Sequence, residues 1–240
     1  MTSSSCWNTE GRGGRPGRRK RPTAERMLSI HLGTRRAELL VLGAHADDIE
    51  IGCGGTILRL VADGMVERLT WVVLSGLGPR AAEARHSAAV FLDGVQESKV
   101  VVGDLRDGFF PYVGPAVKEF FEDLKLKVRP DLILTHRRAD QHQDHRLVAE
   151  LTWNTWRDHL IFEYEIPKYE GDLGTPNLFV PLSRDTCASK VELLLKNFPS
   201  QASRRWFTAD TFWAVLRLRG LECNAPGGFA EGLYARKLVL

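Results

Sequence analysis

The stretch Leu39-Leu40-Val41-Leu42-Gly43-Ala44-His45-Ala46-Asp47-Asp48-Ile49-Glu50-Ile51-Gly52-Cys53-Gly54-Gly55-Thr56-Ile57 decides the fold class. It opens on four consecutive apolar residues, a short strand of the buried type that ends at Gly43. After a polar loop, Ile57, Leu60 and Val61 recur at i, i+3 and i+4, which marks a helix face closed by Gly64. Strand, polar loop and helix together make the repeating unit of a parallel sheet.

The same alternation continues outward from this stretch. Leu69–Leu74 reads as a second strand, and Ala84, Ala88, Phe91 and Leu92 as the face of the next helix, stopped near Gly94. Val100–Val102 is a third strand. Pro115 then opens a helix with the stripe Val117, Phe120, Phe121, Leu124 and Val128, and Pro130 lies just past its end. Leu132–Leu134 is a fourth strand, followed by a helix lined by Leu147, Val148 and Leu151. A strand near Ile161–Ile166, helices through Val191–Phe198 and Phe212–Leu216, and a last strand over roughly Leu233–Leu240 complete the series. The expected fold is α/β, a Rossmann-like doubly wound and mostly parallel sheet with helices on both faces.

Composition narrows the function classes. With 240 residues, 43% hydrophobic and 26% charged, the chain excludes collagen-like, coiled-coil and wholly disordered classes. No apolar run approaches the length of a membrane span. Four scattered cysteines without a C-x-x-C pair suit a reducing compartment, so a cytoplasmic location is expected. The net charge of +3 is concentrated at one end. Residues 1–26 hold seven basic and two acidic side chains, which leaves 26 basic and 28 acidic residues in 27–240. The first 26 residues, rich in Gly, Arg and Pro, read as a disordered basic leader. Residues 27–240 read as a single domain at −2, with no electrostatic reason to bind nucleic acid.

In a doubly wound sheet, ligands bind beyond the carboxyl ends of the strands, where the strand order reverses. With the order 3-2-1-4, the loops after strands one and four share one crevice. Those loops carry His45, Asp47 and Asp48 on one side, and His136, Asp140, His142, Asp144 and His145 on the other. Four of the chain's seven histidines lie there. His45, Asp48 and His145 form a two-imidazole, one-carboxylate set with room for an open position, as a hydrolytic metal site requires. Zinc fits such a set, and so does non-haem iron. Asp47 is the spare carboxylate suited to take a proton from water, and His142 is close enough in sequence to meet an oxyanion, with Asp144 to orient it. Each short motif alone is weak; their joint occurrence at the switch point carries the reading. The Gly52–Gly55 run lacks G-x-G-x-x-G spacing, so its glycines are expected to serve packing, and Cys53 to be a small buried filler.

These loops resemble the signatures of the LmbE-like, or PIG-L, deacetylase family: A-H-P-D-D followed by G-C-G-G-T, and H-x-D-H-R. Here they stand as Ala44-His45-Ala46-Asp47-Asp48 with Gly52-Cys53-Gly54-Gly55-Thr56, and His142-Gln143-Asp144-His145-Arg146. The resemblance covers roughly residues 38–150. It implies zinc-dependent removal of N-acetyl groups from N-acetylglucosamine-like amino sugars or glycosides. His45, Asp48 and His145 would hold zinc, Asp47 would be the general base, and His142, oriented by Asp144, would stabilise the tetrahedral intermediate. Arg80, in Arg80-Ala81-Ala82-Glu83, resembles a substrate-approaching arginine, and Asp107-Gly108 a turn whose aspartate binds sugar hydroxyls. Phe229-Ala230-Glu231 resembles a recurrent aromatic-Ala-Glu element. Two departures are Ala46 in place of proline and the acid at Glu50 rather than directly after the two aspartates.

Two other readings remain at this stage: a nucleotide-sugar or dinucleotide enzyme using the crevice without a metal, and an inactive binding protein of the same fold. The segment Tyr164–Leu182, with Lys168, Tyr169, Asp172 and Asn177, carries no recognisable motif; it is either a substrate-selecting element or a plain connection.

Overall fold

In the computed structural model, which describes residues 35–239, β1 runs from Ala37–His45 and is buried on both faces because its neighbours on each side are helices. It is followed by α1 (Asp48–Ala62), β2 (Val66–Ser75), α2 (Pro79–Phe91) and β3 (Glu97–Val102). A short 3₁₀ turn (Phe110–Val113) leads into α3 (Gly114–Lys125), then β4 (Leu132–His136), α4 (Gln143–Thr155) and β5 (Leu160–Tyr164). The remainder is β6 (Leu178–Leu182), α5 (Arg184–Asn197), α6 (Ala209–Glu222) and β7 (Phe229–Ala235).

The sheet has seven strands in the order β3-β2-β1-β4-β5-β7-β6. The first five are parallel, whereas β7 runs antiparallel to both β5 and β6. The strand order reverses between β1 and β4, as the 3-2-1-4 expectation requires. Strand periodicity divides the core in two. Leu39 and Val41 pack with α1, α2, α5 and α6 on one face, while Leu40, Leu42 and Ala44 pack with α3 and α4 on the other.

Two differences from the sequence reading stand out. β6 emerges from the segment left without a motif. The last strand begins at Phe229 rather than near Leu233, because its inward-facing residues include Glu231. The expected leader, residues 1–26, lies outside the described residues. No helix among the described residues is long and apolar enough to cross a membrane.

Candidate metal centre and active site

β1 delivers His45 at its last residue, and the chain then turns at once into α1. The turn passes through Asp47 at φ 119°, a conformation that L-residues seldom adopt and that clusters at functional sites. The turn brings the Asp48 carboxylate back onto the His45 backbone N–H, which donates to Asp48 Oδ2 at 2.6 Å. From the neighbouring loop, α4 begins with His142 as its N-cap and contributes His145 one turn later.

His45, Asp48 and His145 converge. His45 Nδ1 lies 3.2 Å from His145 Nε2 and 3.4 Å from Asp48 Oδ2, and His145 Nε2 lies 3.4 Å from Asp48 Oδ1. All three residues are buried. Further donors overlap this set: those of His45, His142 and His145, of Asp48, His136 and His145, and of His45, Asp107, His142 and Asp144 each lie within 4.8 Å of one another. A cluster of imidazoles and carboxylates this dense is a site able to hold a metal ion.

The groups around the set orient its members. His45 Nε2 faces two carboxylates at 3.1 Å, Asp144 Oδ2 and Asp107 Oδ1. His145 Nδ1 faces Asp140 Oδ2 at 3.1 Å. Both imidazoles therefore turn one nitrogen inward and the other to a carboxylate, the usual support of a metal-ligating histidine. Asp47 is buried, and Arg80 reaches over it, donating to Asp47 Oδ1 at 2.9 Å and to the Ala46 carbonyl. Arg80 thus holds Asp47, a role the sequence reading did not assign. Asp107, with its side chain 64% exposed, stands at the lip of the site.

One expectation is corrected. The sequence reading gives the Asp144 carboxylate to His142, but the carboxylate goes elsewhere: it accepts from the Gly108 and Phe110 backbone N–H groups and faces His45. Asp144 touches His142 through its backbone instead, donating its N–H to His142 Nδ1 at 3.3 Å. The reason is helical geometry: at the second position of α4 the backbone N–H points back to the cap, while the side chain swings out toward the loop after β3.

Burial and charge shape the titration of the site. Burial pushes the Asp47 carboxyl up to about 7 against the pull of Arg80. Burial acts on Asp48 in the same direction, but His145, His136 and His45 outweigh it and hold that carboxyl well below the usual range. For His45 and His145 burial favours the neutral ring, yet Asp48 and the carboxylates behind them leave both raised. His142 is lowered by burial and by the neighbouring His145 and His45. Glu50 lies buried beneath the site, where burial pushes it up to about 8.

Several residues escaped the sequence reading. His136 is fully buried, accepts the Ala44 backbone N–H at 2.9 Å and stacks on His145 with centroids 3.9 Å apart. Its place in the quoted loop was the signal. Glu231, from the aromatic-Ala-Glu element, reaches across the fold to α1. That helix breaks at Cys53 (φ −144°, ψ 16°), which frees backbone N–H groups in mid-helix. Glu231 accepts from Gly55 N at 2.8 Å and from Thr56 N and Oγ1 at 2.6 Å each. Buried Lys190 then joins Glu231 to the Ile51 carbonyl at 2.6 Å each.

The glycine run serves packing. A methyl group at Gly52 would overlap the Tyr164 ring, one at Gly54 would press on Phe91 at 2.9 Å, and one at Gly55 would strike Leu182 and Glu231. None of these glycines faces an open cradle for a phosphate, which removes the support for a dinucleotide site. Cys53 is fully buried, and burial raises its thiol well above the ordinary range, as fits a filler.

The model of the PIG-L family, described as GlcNAc-PI de-N-acetylase, matches residues 40–156, the span that holds His45, Asp47, Asp48, Arg80, Asp107, His136, Asp140, His142, Asp144 and His145. The chain belongs to the PIG-L family. This PIG-L chain is 27% identical over 142 residues to the uncharacterized deacetylase YaiS of Escherichia coli K12, covering 55% of itself and 76% of that protein. Its fold is shared by N,N'-diacetylchitobiose deacetylase from Pyrococcus horikoshii at a TM-score of 0.63 and 20% identity, over 83% of this chain and 84% of that one. It is shared as well by GalB, the 4-carboxy-2-hydroxymuconate hydratase of Pseudomonas putida KT2440, at 0.65 and 19%, over 85% and 97%. A deacetylase and a hydratase on one fold leave the reaction to be argued from the site.

Proposed function

We propose that this PIG-L protein is a zinc-dependent amidohydrolase that removes an N-acetyl group from an N-acetylated amino sugar or glycoside. The observation that carries the reading is the convergence of His45 Nδ1 and His145 Nε2, 3.2 Å apart, on the Asp48 carboxylate, whose Oδ2 lies 3.4 Å from the first and whose Oδ1 lies 3.4 Å from the second. His45, Asp48 and His145 would hold the ion, and two imidazoles with one carboxylate are a donor set that zinc takes. Zinc supplies a Lewis acid that polarises an acyl oxygen and makes water nucleophilic at neutral pH.

The rest belongs to the chain's own side chains. Asp47, fixed through Oδ1 by Arg80, offers Oδ2 as the base that takes the proton from attacking water. His142 accepts a backbone N–H at Nδ1, so its neutral ring carries the proton on Nε2 and can donate it to a developing oxyanion. The proton held by Asp47 then returns to the departing amine, and acetate and the free amino sugar leave. Arg80 and Asp107 stand at the mouth to meet polar groups of the substrate. The exposed aromatic side chains among the described residues, Phe109, Tyr112 and Tyr169, all stand on the loops after β3 and β5, the carboxyl edge of the sheet. They offer flat apolar surfaces to a sugar ring or its aglycone.

The test is acetate release from a panel of N-acetyl amino sugars and glycosides by zinc-loaded protein. Asp47→Asn keeps the shape, tolerates the positive φ, retains metal and loses about 10²–10⁴-fold in turnover. His45→Ala loses the metal. Protein that takes up no stoichiometric divalent ion after reconstitution sinks the proposal.

A further inference from the structure

The segment between β5 and β6 lies outside the matched family region, and its Lys168 turns inward rather than toward the mouth. Its side chain is only 9% exposed. The ammonium lies 2.9 Å from Asp140 Oδ2, 2.7 and 2.8 Å from the two oxygens of Asp172, and 3.3 Å from the Ile166 carbonyl. Both carboxylates already hold the histidine-bearing loop. Asp140 Oδ1 accepts the His142 backbone N–H at 2.7 Å, and Asp140 Oδ2 faces His145 Nδ1 at 3.1 Å. Asp172 Oδ2 accepts the Gln141 backbone N–H at 2.7 Å.

We propose that Lys168 is a positioning residue for the metal centre: clamped between Asp140 and Asp172, it fixes the Asp140 carboxylate against His145 and holds that imidazole with Nε2 turned inward. This rests on the metal-site reading above. The physical need is plain. Asp140 is 2% exposed and shares Oδ2 between an imidazole and the ammonium. Without the cation, buried Asp140 and largely covered Asp172 would face one another across the space that it fills. Asp140 would then rotate away from Asp172, and that rotation releases His145. A long lysine serves because it reaches from the β5–β6 segment to the Asp140 carboxylate beside the His145 ring, whereas Asp172 of the same segment reaches only the Gln141 backbone. Of the four residues singled out in Tyr164–Leu182, Lys168 and Asp172 thereby join the support of the site. Asn177 is spent on both backbone groups of Ala235 in β7, and Tyr169 alone remains on the rim.

The experiment measures the zinc dissociation constant of wild type and Lys168→Met by competition with a chromophoric chelator. It is run at a temperature where circular dichroism shows both proteins folded. Loss of a partner behind a metal ligand weakens affinity by about 10–100-fold, and that is the expected result. A purely structural lysine lowers Tm and leaves the dissociation constant in place, so a loss below about fivefold overturns the proposal. Should Lys168→Met not fold, the pair Lys168→Met with Asp172→Asn, which removes one charge of each sign, is measured against the same threshold. Wild-type protein that binds no zinc overturns the metal-site reading and this inference together. Wild-type binding with unchanged variants overturns this inference alone.

Discussion

Asp47 and Gly52 show at the residue scale how little freedom the site leaves. Asp47 combines a positive φ, burial and a guanidinium partner, and most replacements would strain the backbone and lose the oxygen that Arg80 holds. Gly52 sits against the face of Tyr164, whose hydroxyl donates to the Leu42 carbonyl at 2.6 Å and so cannot easily yield. Gly52→Ala is expected to destabilise the fold by about 1–3 kcal/mol, as overpacking of a fixed ring does, measured by urea denaturation. The identities of the clustered histidines and aspartates were legible because histidine and aspartate are rare together at a strand exit. Which partner each one takes was not legible. Asp144 illustrates this, since spacing shows that it neighbours His142 but not that its carboxylate swings away to Gly108, Phe110 and His45.

Among the elements, α1 depends on a contact far away in sequence. Its break at Cys53 leaves donors that Glu231 satisfies, and Glu231 in turn neutralises buried Lys190. Glu231→Gln leaves that lysine without its counter-charge and is expected to cost about 3–5 kcal/mol by chemical denaturation. Adding Lys190→Met to it should recover part of the loss, because the unpaired charge is then gone. The helices were legible from their 3.6-residue stripes, and the central strands from unbroken apolar runs. β6 was not, because its residues are mostly half-buried and include Pro181, so neither alternation nor a continuous run marks it. The early start of β7 was hidden for a related reason: Glu231 and Gly232 interrupt the apolar pattern while facing inward.

At the scale of the whole molecule, a buried thiol and a half-buried phenol link stability to alkaline pH. An unfolded cysteine ionises near 9 and an unfolded tyrosine near 10, whereas burial pushes Cys187 up to about 11 and Tyr234 up to about 12. Between those values the native state binds more protons than the unfolded one, so stability is intact below pH 9 and declines as pH rises toward 12. Melting followed by circular dichroism should show that decline, and Cys187→Ser should make it shallower between pH 9 and 11. The layout at this scale was legible in outline, since the alternation of strands and helices led to the order 3-2-1-4 and to the crevice between β1 and β4. The antiparallel β7–β6 edge was not, because strand direction leaves no mark on a short sequence pattern. The reach of Glu231 to Gly55 spans 176 positions and bears on the order in which the molecule matures. The helix that presents Asp48 is translated early, but its mid-helix donors wait for the last strand to leave the ribosome. A nascent chain halted before Glu231 therefore leaves those donors without their carboxylate, and α1 gains its full set of partners only after β7 has been synthesised.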